Sequence, residues 1–93
     1  MLKYPNPKLL SNVYMEVTPE QSIEIQRIVF SYGGHWRTAG RNIAHLTATT
    51  LFISSLGTLA YSQRKEKEVR GTEPISAQLF INYRGMKSPL PII

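Results

Sequence analysis

A helix-start signal at residues 18–21 constrains the fold of this chain more than any other feature of its sequence. The four residues read Thr-Pro-Glu-Gln: threonine suits the N-cap, proline fits the first helical turn, and glutamine stands at the capping-box position. The next helix-stop signal is Gly33-Gly34, where a residue without a Cβ can take the left-handed conformation of a C-cap. The sequence therefore predicts a helix from Pro19 to Tyr32.

The predicted helix has one apolar stripe, which a helix that packs on a sheet requires. At helical spacing this stripe consists of Ile25, Ile28, Val29 and Tyr32. Ile23 and Phe30 are on nearly the opposite face of the same helix. We expect these two side chains either to lie beneath the N-terminal arm or to form a surface for a protein partner or a second copy of the chain.

The sequence around the helix predicts four strands. Residues alternate from Asn12 to Val17, and strand-like residues run from Thr49 to Ser54 and from Thr58 to Ser62, with a Gly-containing hairpin turn between them. A last strand is predicted from the alternating residues Ala77, Leu79, Ile81 and Tyr83. The expected fold is α+β in the order β-α-β-β-β, with one helix packed on a mainly antiparallel sheet of about four strands.

Three aromatic residues occupy the alternate positions of the predicted strands. Tyr14, Phe52 and Phe80 either pack beneath the helix or line the uncovered face of the sheet. On an uncovered face they would be a stacking platform or an interface. The sequence alone does not decide between these arrangements.

The length of 93 residues fits one domain. Its predicted periphery consists of an extended N-terminal arm at residues 1–11, a charged loop at residues 63–75 and a proline-broken tail at residues 86–93. The sequence has no leader-like start and no apolar stretch long enough to span a bilayer. We therefore expect a soluble, intracellular protein without a membrane partner.

The residue types exclude most catalytic chemistry. The chain has no Cys and no Asp, which removes disulfides, thiolate metal sites and the usual triads. His35 and His45 are ten residues apart, and no acidic residue between them can orient either ring. We therefore expect no catalytic residue, no metal and no cofactor. A metal-free nuclease that uses both histidines, with Arg37 or Arg41 on the phosphate, stays open.

The positive charge is concentrated in one part of the sequence. The formal net charge is +5, and the 41 residues between Glu24 and Glu66 contain no acidic residue. Cations and aromatic rings that converge on one face suit single-stranded nucleic acid, because cations bind phosphates and rings stack on bases. The candidate nucleic-acid-binding residues are Arg27, Tyr32, His35, Trp36, Arg37, Arg41, Arg64 and Lys65.

Two other interpretations of the same charge are open. A basic surface also attracts an acidic protein partner. A run in which Lys65 and Lys67 alternate with Glu66 and Glu68 is typical of a solvated face.

The segment from Thr18 to Ser62 resembles small accessory proteins of T-even-like tailed bacteriophages. The resemblance is carried by the helix, by Tyr-Gly-Gly-His-Trp at residues 32–36, by Thr-Leu-Phe-Ile at residues 50–53 and by Gly-Thr-Leu-Ala-Tyr-Ser at residues 57–62. It implies a non-enzymatic modulator of a host polymerase, nuclease, toxin or defence component, acting in the cytoplasm of an infected bacterium.

Together these features lead us to expect a small basic protein that binds RNA or single-stranded DNA. The resemblance adds that it antagonises a host or defence factor, for example a toxin ribonuclease. The alternative is a protein-only inhibitor that binds an acidic host protein through Ile23 and Phe30. A homodimer formed through the same helix face is a further expectation.

Overall fold

The computed structural model describes residues 9–63 and 72–86, and it confirms the α+β class. These residues form two helices and five strands. The bounds are β1 Val13–Glu16, α1 Pro19–Ser31, β2 His35–Trp36, β3 Thr50–Ile53, β4 Thr58–Ser62, β5 Glu73–Pro74 and α2 Ala77–Asn82.

The strands form a single sheet in the order β2-β4-β3-β1-β5. At its centre the expected strands are confirmed, since β3 pairs antiparallel with both β1 and β4. Two-residue strands at the edges, β2 and β5, pair parallel with β4 and β1. The sheet is therefore mixed and has more strands than expected, because a two-residue strand is too short to show an alternating pattern.

The predicted helix is confirmed, and both of its ends form as the sequence indicates. The Gln21 amide donates to Thr18 Oγ1 at 3.1 Å and the Thr18 amide donates to Gln21 Oε1 at 3.0 Å, which completes a capping box. At the other end the Gly33 and Gly34 amides donate to carbonyls of the last turn at 3.0 and 2.9 Å. This is a Schellman motif, and the φ of +94° at Gly33 is the left-handed conformation that it requires.

The hydrophobic core lies between α1 and one face of the sheet. Alternate residues of the central strands are buried there: Val13, Met15, Leu51, Ile53 and Leu59. Ile25 and Val29 of α1 are fully buried, whereas the other two residues of the predicted stripe are only partly buried. Ser22 and Gln26 complete the buried stripe of the helix instead.

Tyr14 and Phe52 lie opposite each other in the register of β1 and β3, and their rings stack with centroids 5.9 Å apart. They alternate with the core residues, so they lie on the face of the sheet that points away from α1. Phe80 does not join them, because it belongs to α2 and is buried in the core.

The prediction of a last strand at residues 77–83 is wrong, because this segment forms helix α2. The Leu79 amide donates to the side chain of the N-cap residue Ser76 at 3.2 Å. The helix buries Ala77 and Phe80, three residues apart, and leaves Leu79 43% exposed. So short a run fits helical spacing and strand alternation equally well, and periodicity does not distinguish the two.

The predicted arm, loop and tail lie partly outside the described residues, at residues 1–8, 64–71 and 87–93. The described end of the arm belongs to the core, because Leu9 is buried and forms a β-bridge with Met86. Within the predicted loop, Glu73–Pro74 instead form β5, at a sheet edge where proline is tolerated. Neither helix of the described chain has the length and apolarity needed to cross a membrane.

Candidate functional site

Gln26 is a polar residue in the middle of the core, and its side chain makes four hydrogen bonds. Its Oε1 accepts from the Trp36 indole N–H and from the Ala44 amide, both at 2.9 Å. Its Nε2 donates to Ser22 Oγ at 3.0 Å and to the Ala44 carbonyl at 2.7 Å. The buried amide is therefore fully paired, which avoids the cost of an unsatisfied polar group.

This amide connects α1 to two other parts of the chain. Both partners of Gln26 Oε1 are obligate donors, which fixes the orientation of the amide group. Through them Gln26 holds β2 at Trp36 and the connection between β2 and β3 at Ala44. The next residue, His45, has a φ of +57°, a left-handed conformation that is uncommon outside glycine.

Trp36, His45 and Tyr61 form an aromatic cluster beside this amide. The His45 ring meets the Trp36 ring edge to face, with centroids 4.5 Å apart. The Tyr61 ring stacks on His45 at 4.1 Å, with 16° between the ring planes. Tyr61 is 44% exposed, so the three rings lead from the core to the surface.

Trp36 is not the exposed stacking residue that the sequence predicts. Its side chain is only 3% exposed, because it packs in the core and its N–H is bonded to Gln26. Trp36 therefore reaches the lining of the groove but offers a base little surface on which to stack. Its contribution is to support His45 and, through it, Tyr61.

A surface groove of about 350 Å³ opens beside the aromatic cluster. Its lining includes Arg37 and Thr38, from the turn after β2, and Ala60 and Tyr61 of β4. Its volume is at the lower end of the range for small-molecule sites. Arg37 is exposed, so the structure brings a cation and an exposed ring to the same groove.

Arg41 is engaged with the turn that follows α1. Its Nε donates to the Gly34 carbonyl at 3.3 Å, and its Nη2 donates to the Gly33 carbonyl at 3.1 Å. A cation at the carbonyl end of a helix is favoured by the helix dipole. Arg41 therefore stabilises the turn that leads into β2.

Three other predicted nucleic-acid-binding residues, Arg27, Tyr32 and His35, do not line this groove. Arg27 is exposed on α1, and Tyr32 lines a separate groove of about 520 Å³ between the two helices. His35 is exposed at the start of β2, with Nδ1 at 3.0 Å from the carbonyl oxygen of the next residue. Arg64 and Lys65 lie outside the described residues.

Ile23 and Phe30, the predicted protein interface, are both partly buried, and Phe30 packs against the core. More exposed apolar side chains lie on the connection around His45, where Ile43 and Leu46 are each 38% exposed. The role of Ile23 and Phe30 in binding a partner stays a prediction.

The net positive charge of the chain comes from residues outside the ranges 9–63 and 72–86. Residues 9–63 and 72–86 contain four Arg and four Glu, and therefore no formal net charge. The net charge of +5 comes from the remaining segments, which hold seven cationic residues and two Glu. Within the described part, residues 25–63 hold three Arg and no acidic residue, so the sequence around the groove is locally basic.

No group of residues in the described part of the chain is suited to hold a metal ion. His45 lies between the rings of Trp36 and Tyr61, whereas His35 is on the surface. A nuclease that pairs the two histidines stays a prediction.

Comparisons with known proteins identify no relative. No protein-family model, curated protein or solved structure matches this chain. We therefore infer function from the groove and the aromatic cluster.

Proposed function

We propose that the protein binds single-stranded nucleic acid at the groove beside the aromatic cluster. The observation that carries this proposal is the exposed Tyr61 ring, stacked on His45 at 4.1 Å in the groove that Arg37 also lines. A base stacks on an exposed ring, and a neighbouring Arg binds phosphate. Single-strand-binding proteins combine these two contacts.

The support beneath Tyr61 favours binding. His45 covers one face of the ring, and Trp36 packs against His45 and is bonded to Gln26. The ring is therefore held in place before a ligand arrives, and less side-chain entropy is lost on binding.

The proposed contacts require an unpaired base. Bases in a duplex are stacked on one another, so a protein ring reaches the face of a base only where the strand is open. Every base has a face that can stack, and this favours weak preference among the four.

Cations add a contribution that depends on salt. Arg37 lines the groove, and Arg64 and Lys65 follow Tyr61 by three and four residues in the sequence. Each phosphate that a cation neutralises releases counterions, so the affinity falls as the salt concentration rises.

Antagonism of a host or defence factor is a separate proposal about the cellular role. It depends on the resemblance to bacteriophage accessory proteins. Binding of RNA would serve this role where the target is itself an RNA-binding protein, such as a toxin ribonuclease.

Fluorescence polarisation tests the proposed binding. The full chain is titrated against labelled single-stranded RNA, DNA of the same sequence and the corresponding duplex, from low to physiological salt. We expect both single strands to bind and the duplex to bind at least about fivefold more weakly. Absent binding, or equal affinity for single strand and duplex at every salt concentration, contradicts the proposal and makes the protein-only inhibitor the next hypothesis.

A matched pair of variants tests whether the phosphate contact is at the groove. Arg37 and Arg84 are both exposed, but only Arg37 lines the groove. We expect Arg37→Gln to weaken binding and to reduce the salt slope by about one, and Arg84→Gln to change neither. Equal effects of the two substitutions would indicate general attraction to the basic chain instead.

A further inference from the structure

The hydrogen-bonding groups of β4 point alternately to its two sides. The Thr58 carbonyl accepts from the amide of Ser54, the residue after β3, at 3.0 Å. Thr58 and every second residue after it therefore direct their N–H and C=O groups toward β3. Leu59 and Tyr61 lie between these residues and direct their backbone groups toward the outer side of β4.

Of these two outward-facing residues, Leu59 alone is covered by a strand within residues 9–63 and 72–86. Leu59 is the last residue of β4 that pairs with β2, and it lies opposite Trp36. The chain then turns back so that Gly40 pairs with the other side of Trp36, with hydrogen bonds of 2.8 and 3.2 Å. No described strand continues beside Tyr61, so its N–H and C=O groups are directed to the open outer side of β4, and the same residue lines the groove.

We infer that one unpaired nucleobase binds in this groove, with its edge hydrogen-bonded to the backbone of Tyr61 and its face against the aromatic cluster. The inference rests on the proposed function and names the part of the ligand that the groove recognises. The N–H and C=O groups of one residue at a strand edge present a donor beside an acceptor. All four bases carry an adjacent donor and acceptor on their Watson–Crick edge, so this contact requires an unpaired base without selecting one of the four.

An extended peptide fits this edge less well than a base does. Strand addition depends on a row of free N–H and C=O groups along the edge of a sheet. Between the last pairing with β2 at Leu59 and the end of β4 at Ser62, only Tyr61 faces outward. One donor and one acceptor suit the edge of a small planar ring.

Amide NMR spectra of the full chain test the contact directly. When a single-stranded oligouridylate is added, the Tyr61 amide is expected to shift and to exchange more slowly with solvent, because its proton gains an acceptor. The Leu59 amide is an internal control. Its outward-facing groups are already paired with β2, so its exchange rate is expected to stay the same.

Two further ligands identify what is recognised. An oligomer of N3-methyluridine keeps the charge and length but blocks the donor at the base edge, and we expect its Kd to be about tenfold higher. Uridine monophosphate tests the free nucleotide as a source of the base. If the nucleotide shifts the Tyr61 amide, the groove accepts the base of a free nucleotide. If only the oligomer shifts it, the base must belong to a strand. Both results support the inference.

The outcomes separate this inference from the proposed function. If the oligouridylate binds and shifts the Tyr61 ring signals while exchange of its amide is unchanged, the edge contact is overturned and the proposed function stands. Equal Kd values for the methylated and unmethylated oligomers also overturn it. If no oligomer binds, the proposed function itself fails.

Discussion

The indole N–H of Trp36 donates to Gln26 Oε1 at 2.9 Å, and both side chains are buried in the core. This bond joins α1 to the edge strand β2. The same oxygen accepts from Ala44, so a single amide also holds the connection that carries His45. Tyr61 stacks on His45, so the support that Gln26 gives to this connection extends to the exposed ring.

Replacing Gln26 by Leu is expected to destabilise the fold strongly. The substitution leaves the Trp36 N–H and both backbone groups of Ala44 without partners, and each such buried group costs about 1–3 kcal/mol. We expect the free energy of unfolding to fall by about 3 kcal/mol, measured by denaturant unfolding with the single Trp as fluorophore. Gln78→Leu is the control, since Gln78 is exposed on α2, and its effect is expected to stay within about 0.5 kcal/mol. Equal losses for the two variants would disprove the structural role of Gln26.

Two glycines near the site are expected to differ in their tolerance of alanine. A Cβ on Gly34 would lie 2.6 Å from the Gly57 carbonyl oxygen and would clash with Val29, so we expect Gly34→Ala to cost about 3 kcal/mol. Gly40 has open space around it but a φ of +65°, and Gly40→Ala is expected to cost about 1–2 kcal/mol through backbone strain alone. Thermal unfolding compares the two variants. A larger loss for Gly40→Ala would contradict the packing of the turn after α1.

Charged and truncating substitutions in α2 test whether this segment is a helix. Leu79 is exposed in the helix, although a strand would place it on the same face as Ala77. We expect Leu79→Lys to change the free energy of unfolding by less than about 0.5 kcal/mol and Phe80→Ala to lower it by about 3–5 kcal/mol. Chemical denaturation measures both. The reverse order of effects would restore the predicted strand.

Arg41 is expected to affect stability more than Arg37 does. Arg41→Ala removes two hydrogen bonds to carbonyls after α1, and we expect a loss of about 0.5–1 kcal/mol. Arg37→Ala is expected to stay within about 0.5 kcal/mol of the unchanged chain, because Arg37 is exposed. Denaturant unfolding at low and high salt measures both changes. An Arg41 effect no greater than that of Arg37 would show that the capping contact contributes nothing.

The elements that the sequence predicts correctly have local signals at their ends. Residues 18–21 and Gly33-Gly34 specify where α1 begins and ends, because a capping box and a left-handed glycine act within one turn of the chain. The hairpin of β3 and β4 is likewise marked by its turn and by strand-forming residues on both sides. By contrast, residues 77–83 carry a pattern compatible with two periods, and the tertiary contacts of Phe80 decide between them.

The candidate site is harder to predict from the sequence than the fold is, because the role of each side chain depends on whether other parts of the chain bury it. Trp36 has an aromatic side chain of the kind that stacks on bases, but packing against residues distant in the sequence buries it. Tyr61 continues the inward alternation of β4 after Leu59, and the pattern does not show that it remains exposed. Gln26 lies at helical spacing from Ser22, and both are polar residues on the buried face of α1. This spacing alone does not predict that the Gln26 side chain is buried and fully hydrogen-bonded.

The affinity of Tyr61 variants for single-stranded RNA is the measurement to make first, by polarisation at physiological salt. Tyr61→Leu removes the stacking ring and is expected to weaken binding by about 1–3 kcal/mol, which is roughly fivefold to a hundredfold in Kd. Tyr61→Phe keeps the ring and is expected to bind within about twofold of the unchanged chain. Circular dichroism confirms that both variants are folded. If Tyr61→Leu binds as tightly as the unchanged chain, the exposed ring does not contact nucleic acid and the proposed site is wrong.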